Sequence, residues 1–330
     1  MNARRALVTG ATGGLGLSLC AALKDAGYWV RASGRSEANA ARLKEYADEV
    51  VRGDLLDMDL QALCSNIDVV FHAAALSSPW GPDAAFEAIN VGATRDLLAA
   101  AKARGADGFV FVSSPSIYAA LRDQHGLTEE SPLPARALNA YARTKRAAEE
   151  YVLAANAPAF RTTAIRPRAL IGPDDTVLLP RILTLAARGW FPALRGARAL
   201  IELTDVRDAA RALAAADQNL AQAAGKAINI SGGQPTSVAS LIDKLGAALG
   251  RRVRLRPAPI ELALALARVS EIICGALPSR PEPKLTTYGV ATLAYTQTFN
   301  LARAREVLGY APHYDAVASA QALAARKAFA

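Results

Sequence analysis

Short apolar or β-branched runs alternate with longer stretches of helical periodicity through the first half of the chain. Ala6–Thr9, Tyr28–Ser33, Glu49–Arg52, Val69–Ala73, Phe109–Ser113 and Thr162–Arg166 read as strands. Between them Leu15–Ala26, closed by Gly27, then Pro82–Arg104 and Ala140–Asn156 carry apolar residues at helical spacing. Strand, helix and strand repeated in this way make right-handed crossovers. The pattern therefore predicts an α/β fold, a doubly wound parallel sheet covered by helices on both faces. After Pro167 the rhythm changes: Gly172-Pro173-Asp174-Asp175 reads as a turn, and helices then dominate with scattered strands such as Ala227–Ile230. The expected division is a sheet domain over 1–166 and a smaller, mostly helical C-terminal lobe over 167–330, with part of 199–218 returning to the sheet domain. The most apolar segment, Pro259–Leu277, is bracketed by prolines and carries Glu261, Arg268 and Glu271. Those charges argue against a membrane span and for a buried or lid helix, with a helix lying on a membrane surface as the lesser alternative.

Composition fills in this picture. With 330 residues, 52% hydrophobic and 21% charged, the chain can bury a large core and is not disordered. Its 38 basic and 30 acidic side chains leave a formal charge of +8, yet the longest basic cluster is the alternation Arg251, Arg252, Arg254, Arg256. That alternation reads as the solvated face of a strand, so no nucleic-acid partner is expected. Cys20, Cys64 and Cys274 stand alone, which fits neither a disulfide framework nor a zinc site, and no metal is expected. The apolar stretch after Arg4 and Arg5 runs only from Ala6 to Val8, too short for a secretory signal, so a reduced cytoplasmic protein is the expectation.

Candidate chemistry starts at Thr9-Gly10-Ala11-Thr12-Gly13-Gly14-Leu15-Gly16, between the first strand and the first helix. Gly10, Gly13 and Gly16 permit a tight turn and close backbone approach to a pyrophosphate, with Thr12, Gly14 and Leu15 at the positive helix end. A dinucleotide is the ligand such a turn suits. At the end of the second strand an acid selects NAD and an arginine favours NADP. This chain has Gly34-Arg35-Ser36 there, so NADP(H) is favoured over NAD(H). Asp54 and Leu55 follow the third strand, where an Asp side chain can reach an adenine amino group.

Ser114 stands at the end of the fifth strand, and Tyr141 and Lys145 lie four residues apart on one helical face. A nearby cation together with an oxidised nicotinamide would lower a phenol's pKa from ~10 towards working pH, which makes Tyr141 a usable acid/base. Lys145 can also donate to a nicotinamide ribose, and Ser114 can hold a carbonyl or carbinol oxygen during hydride transfer. A tyrosine and lysine at this spacing are commonly a surface accident. Their order after the glycine turn and the Ser113-Ser114 strand end is what gives them meaning.

These motifs, with His72-Ala73-Ala74-Ala75, Asn90-Val91-x-Ala93-Thr94, Ser114-Pro115-Ser116 and Arg166-Pro167 leading to Gly172-Pro173, resemble the extended short-chain dehydrogenase/reductases over nearly the whole chain. The resemblance is strongest to the 3β-hydroxysteroid dehydrogenase branch and the bacterial 2-alkyl-3-oxoalkanoate reductases. It implies a Rossmann sheet domain, Ser114, Tyr141 and Lys145 as the catalytic set, and Ala73, Ala74, Ala75 and Pro167 as further cofactor neighbours. It also implies a homodimer and a small hydrophobic ketone or secondary alcohol as substrate, with Trp80, Ser116 and Arg168 as substrate residues. Trp190-Phe191 are further candidates for an apolar pocket, with ordinary packing as the even alternative. His72 is expected to pack beside the cofactor rather than to catalyse. A nucleotide-sugar epimerase shares this fold and trio. Pro115-Ser116 in place of an Asp-Glu pair disfavours dehydration, and Arg35 argues against an epimerase. A cofactor-sensing regulator is the third alternative, disfavoured because Tyr141 and Lys145 are both present.

Overall fold

Seven strands form one parallel sheet: β1 (Arg5–Thr9), β2 (Trp29–Gly34), β3 (Glu49–Arg52), β4 (Val69–His72), β5 (Gly108–Val112), β6 (Arg161–Pro167) and β7 (Ala227–Ile230). Their spatial order is β3-β2-β1-β4-β5-β6-β7, and every neighbouring pair is parallel. The computed structural model describes residues 3–175 and 179–328. The six strands read from the pattern are all present, with ends displaced by one residue at most.

The sheet is buried on both faces because its strands are apolar at successive positions. Ala6, Val8, Val69, Phe71, Val110 and Val112 pack toward α1 (Gly14–Asp25). Leu7, Val70, Phe109 and Phe111 point the other way, toward α2 (Ala93–Ala103) and α3 (Ala140–Ala154). The helix read over 82–104 is not continuous. A four-residue helix, Asp83–Phe86, passes into a π-helical segment, Glu87–Gly92, before α2 begins. Such segments admit an extra residue per turn and cluster at functional sites.

Chain from the second half completes the sheet. α4 (Val206–Gln218) contributes Ala210, Leu213 and Ala214 to the core beneath α1, and β7 pairs with β6 at the sheet edge. In the other direction, Gln124–Leu127 joins a four-stranded sheet with 297–299, 200–201 and 236–237 in the lobe. The lobe has its own core around Ile171, Leu183, Ile201, Leu241 and Leu245. Phe191 is buried in that core, while Trp190 lies at the surface with Arg256 5.3 Å from its ring. This pair packs the lobe and does not line a substrate pocket, because its strand 190–194 runs alongside 254–258 at the surface.

The apolar segment forms α5 (Ile260–Ala276), which buries Ala263 and Ala267 against Leu194 and against Val290 and Ala294 of α6 (Thr287–Ala294). The expectation of a buried helix holds for that face alone, since the opposite face is exposed. Among the described residues no helix is long and apolar enough to cross a membrane.

Candidate active site

β1 ends in a turn that only glycine can make. Gly10 has φ +68°, and a Cβ there would lie 2.6 Å from the backbone nitrogen of Ala74; a Cβ on Gly16 would lie 2.2 Å from the Gly10 carbonyl oxygen. α1 starts at Gly14 with no side chain capping it and no acid in its first turn. The positive end of the helix is therefore free for an anion, and these residues fit a dinucleotide pyrophosphate. Ala73 N–H donates to the Thr9 carbonyl at 3.2 Å, tying the end of β4 to the same turn.

At the end of β2, a Cβ on Gly34 would lie 2.6 Å from Thr12 Oγ1, and Asn39 holds Thr12 by donating to its carbonyl at 2.7 Å. An acidic side chain at 34 would have to displace Thr12. Arg35 is exposed and donates to Asp54 Oδ2 at 2.9 Å. The Leu56 N–H, and after it Arg35, hold the Asp54 carboxyl below its usual range. Ser36 is exposed beside Arg35, and Leu55 packs partly buried against the lower core.

Ser114 follows β5, and its Oγ accepts from the Ser116 N–H at 3.2 Å. That leaves its own hydroxyl proton for the Tyr141 phenol, its side-chain hydrogen-bond partner. Tyr141 and Lys145 lie in the first turns of α3, whose N-terminus is capped by Asn139 Oδ1 accepting from Ala142 N–H at 2.8 Å. Burial pushes the Tyr141 phenol up to about 12, and the Ser114 hydroxyl beside it pulls the other way. Lys145 is buried, donates to the Val112 carbonyl and lies 4.0 Å from the Phe111 ring centroid. Burial draws its ammonium down to about 7 against the pull of Glu149. Lys145 is thus engaged away from the phenol in this structure. The carbonyl at the end of β5 takes the lysine, and the neighbours acting on the phenol are Ser114 and Tyr288.

A fully satisfied polar frame stands behind these groups. Thr94 Oγ1 donates to the Asn90 carbonyl at 2.7 Å, so at 2.8 Å it accepts from His72 Nε2. His72 Nδ1 then accepts from Thr9 Oγ1 at 2.7 Å. Every ring nitrogen is used and the imidazole is neutral, burial and then Lys145 drawing it down to about 3. This is the packing role read from the sequence. Asn90, in the π-helical segment, accepts from Leu76 N–H at 2.8 Å and donates to Thr144 Oγ1 at 3.1 Å, joining the loop after β4 to α3. Glu149, one turn beyond Lys145, forms a buried two-pronged ion pair with Arg166, which also donates to Tyr118.

The substrate side of the same sheet edge is unsatisfied. Ser113 Oγ, Ser116 Oγ and Arg168 Nε are buried without a hydrogen-bond partner; the one other such atom among the described residues is Asn229 Nδ2. Arg168 is 7% exposed and follows β6, next to the Ser113–Ser116 segment that follows β5. Its guanidinium hydrogen-bonds the phenol of Tyr288 on α6, the same phenol that acts on Tyr141, and the buried Glu202 carboxyl attracts it as well. Trp80 is set further out: its Nε1–H donates to the Arg280 carbonyl at 3.2 Å and its ring meets Gly275 of α5. The sequence reading named Asn90 only within a motif, without a role, and missed Glu149 and Tyr288. Glu149 could have been found from its place one turn past Lys145, whereas nothing local marks Tyr288.

The comparisons agree with this geometry. Residues 6–231 match the model of the NAD dependent epimerase/dehydratase family. The chain is 33% identical to a 2-alkyl-3-oxoalkanoate reductase of Stenotrophomonas maltophilia over 93% of this chain and 94% of that one. It is 29% identical to a 3 beta-hydroxysteroid dehydrogenase/Delta 5-->4-isomerase of Mycobacterium tuberculosis, covering 93% and 86%. Among solved structures it is similar to MoeE5 in complex with UDP-glucose and NAD, with a TM-score of 0.75 and 26% identity over 98% and 99% of the two chains. With residues 6–231 matched and relatives of similar length along nearly the whole chain, the chain belongs to the NAD dependent epimerase/dehydratase family, the extended short-chain dehydrogenase/reductases.

Proposed function

We propose that the protein reduces the ketone of a hydrophobic 3-oxo acid, with NADPH as the cofactor and Ser114, Tyr141 and Lys145 as the catalytic set. When bound, the nicotinamide supplies the hydride. The turn 10–16, Arg35 and Ser36, Asp54 and Leu55, Ala73–Ala75 and Pro167 would hold the dinucleotide, with Lys145 assigned to its ribose. Ser114 would turn its hydroxyl from the phenol to the ketone oxygen, donating a hydrogen bond that fixes its position while keeping its proton. Tyr141, whose raised pKa keeps the proton on the phenol, delivers it to that oxygen as negative charge develops there. The Tyr141 phenol hydrogen-bonded to the Ser114 hydroxyl, on the sheet edge where Ser116 Oγ and Arg168 Nε are buried without partners, is the observation that carries this reading.

The choice of NADPH rests on Gly34, which has Thr12 against it where an acid would stand, and on the exposed Arg35. The acidic group of the substrate is assigned to Arg168, a buried cation with an orphaned Nε on the same edge as the trio. One relative is named for a 3-oxoalkanoate, which has both a ketone and a carboxylate, and the other for a 3β-hydroxysteroid. Arg168 favours the first. A cytoplasmic homodimer completes the proposal: Cys20, Cys64 and Cys274 are all unpaired, and the outward faces of α2 and α3 supply the pairing surface.

The test is NADPH oxidation followed with a branched 3-oxo acid, its methyl ester, a 3-ketosteroid and a UDP-sugar. The proposal expects turnover of the acid, a KM for the ester at least about tenfold higher, and loss of that discrimination in Arg168→Leu. Conversion of the UDP-sugar to its epimer without net cofactor change would contradict it.

A further inference from the structure

α5 has a face that the fold leaves bare. Leu262, Leu266, Val269, Ile272 and Ile273 are 55%, 54%, 52%, 72% and 56% exposed. At 3.6 residues per turn they share an arc of roughly 120°, and the two other residues in that arc, Ala265 and Ala276, are apolar too. Glu261 and Arg268 lie at its edge. The opposite face packs Ala263 and Ala267 on α6, so the helix is held by the protein on one side and presents only aliphatic carbon on the other. Contiguous patches of this kind mark a surface that meets something.

The charge around the helix indicates what that is. Arg251, Arg252, Arg254 and Arg256 precede it, Arg268 is on it, and Arg280 and Lys284 follow it, against Glu261, Glu271 and Glu282. These seven basic and three acidic residues give the segment a net +4, half of the chain's +8. All seven cations are exposed, and among the described residues none forms an ion pair. Glu282 is instead paired with Arg181, and Glu271 accepts from Thr287. A second copy of the chain is a poor occupant, since a two-fold contact would set one arginine-rich rim against another. A protein groove is also a poor fit, because the face lacks the aromatic and arginine anchors that dominate such contacts at their centre.

We propose that the bare face of α5 rests on a lipid bilayer surface, its aliphatic side chains between the headgroups and its flanking arginines on anionic lipid phosphates. The helix lies in the interface plane and does not span it, as its length and inner packing require. α5 is also tied to the segments around the candidate site. The C-terminal end of α5 touches Trp80, and Glu271 is clamped to Thr287, the residue before Tyr288. A hydrophobic substrate dissolved in the bilayer would meet the protein at this end.

The test is flotation of the full chain with vesicles of phosphatidylglycerol and phosphatidylcholine in equal parts, and with phosphatidylcholine alone. The protein is expected to float with the anionic vesicles and to be released by salt. Leu266→Ser/Ile273→Ser should abolish flotation, and Arg254→Ser/Arg256→Ser should weaken it about tenfold or more. Both variants alter exposed positions, so unchanged thermal unfolding and NADPH binding certify the fold without reference to any ketone substrate. Absence of flotation, or flotation indifferent to Leu266→Ser/Ile273→Ser, would overturn the proposal. So would self-association of the wild-type chain that this double variant abolishes, which would assign the face to a second copy.

Discussion

Two arginines two residues apart at the end of β6 have opposite surroundings. Arg166 is 5% exposed and fully engaged by Glu149 and Tyr118. Arg168 is 7% exposed, and its Nε has no partner. The same contrast divides the sheet edge as a whole. On one side His72, Thr9, Thr94 and Asn90 satisfy one another completely; on the other Ser113, Ser116 and Arg168 leave donors idle. A buried polar group without a partner destabilises the fold, so a native chain retains it where a ligand completes it. The satisfied side is scaffold and the unsatisfied side is binding surface.

The comparison can be broken at Arg166 first, where the largest effect is expected. Glu149→Ala leaves a buried guanidinium without its counter-ion and should lower stability by about 3–5 kcal/mol, read from the denaturant midpoint. Replacing both partners, Glu149→Leu with Arg166→Met, should recover most of that loss. Arg168→Leu takes away one hydrogen bond to Tyr288 and the attraction to Glu202 but breaks no two-pronged ion pair, so it should cost less, about 1–3 kcal/mol, with the larger defect in KM for an acidic ketone. If Arg168→Leu unfolds the protein as Glu149→Ala does, the two arginines are alike and the contrast fails.

His72 sharpens the same division through pH. Its folded pKa lies near 3, below the unfolded value of about 6.5, so between these limits the unfolded chain binds the extra proton. Its contribution to stability is complete above about pH 6.5 and is lost progressively as pH falls toward 3. His72→Leu should flatten that acid limb while stranding the Thr9 and Thr94 hydroxyls, at about 1–3 kcal/mol. Thermal unfolding across this pH range checks both parts. The smallest effect is expected at Arg35, which is exposed: Arg35→Ala should reduce the preference for NADPH over NADH roughly tenfold, measured as the ratio of dissociation constants.

The central strands of the sheet were legible because they are apolar on both faces, as at Ala6–Thr9 before Gly10, and the edge strand Glu49–Arg52 from its short Val50-Val51 run before Gly53. The glycine turn and the Tyr141–Lys145 pair were legible because their chemistry depends on local spacing. What escaped was set by distant partners. The π-helical segment looks like ordinary helix in the sequence, and it is Asn90 bonding to Leu76 and Thr144 that stabilises the extra residue. Tyr288 reaches the site only through the packing of α6, some 150 residues after Tyr141. The exposed face of α5 was not predicted either, since periodicity shows that a helix is apolar and cannot show which side the fold covers.

The central claim is that Tyr141 supplies the proton for ketone reduction. NADPH oxidation by Tyr141→Phe, compared with the native chain on the branched 3-oxo acid, tests it most directly. The account predicts a kcat lower by about 10²–10⁴ with the Kd for NADPH unchanged. A Tyr141→Phe protein that turns over the ketone at the native rate would contradict it.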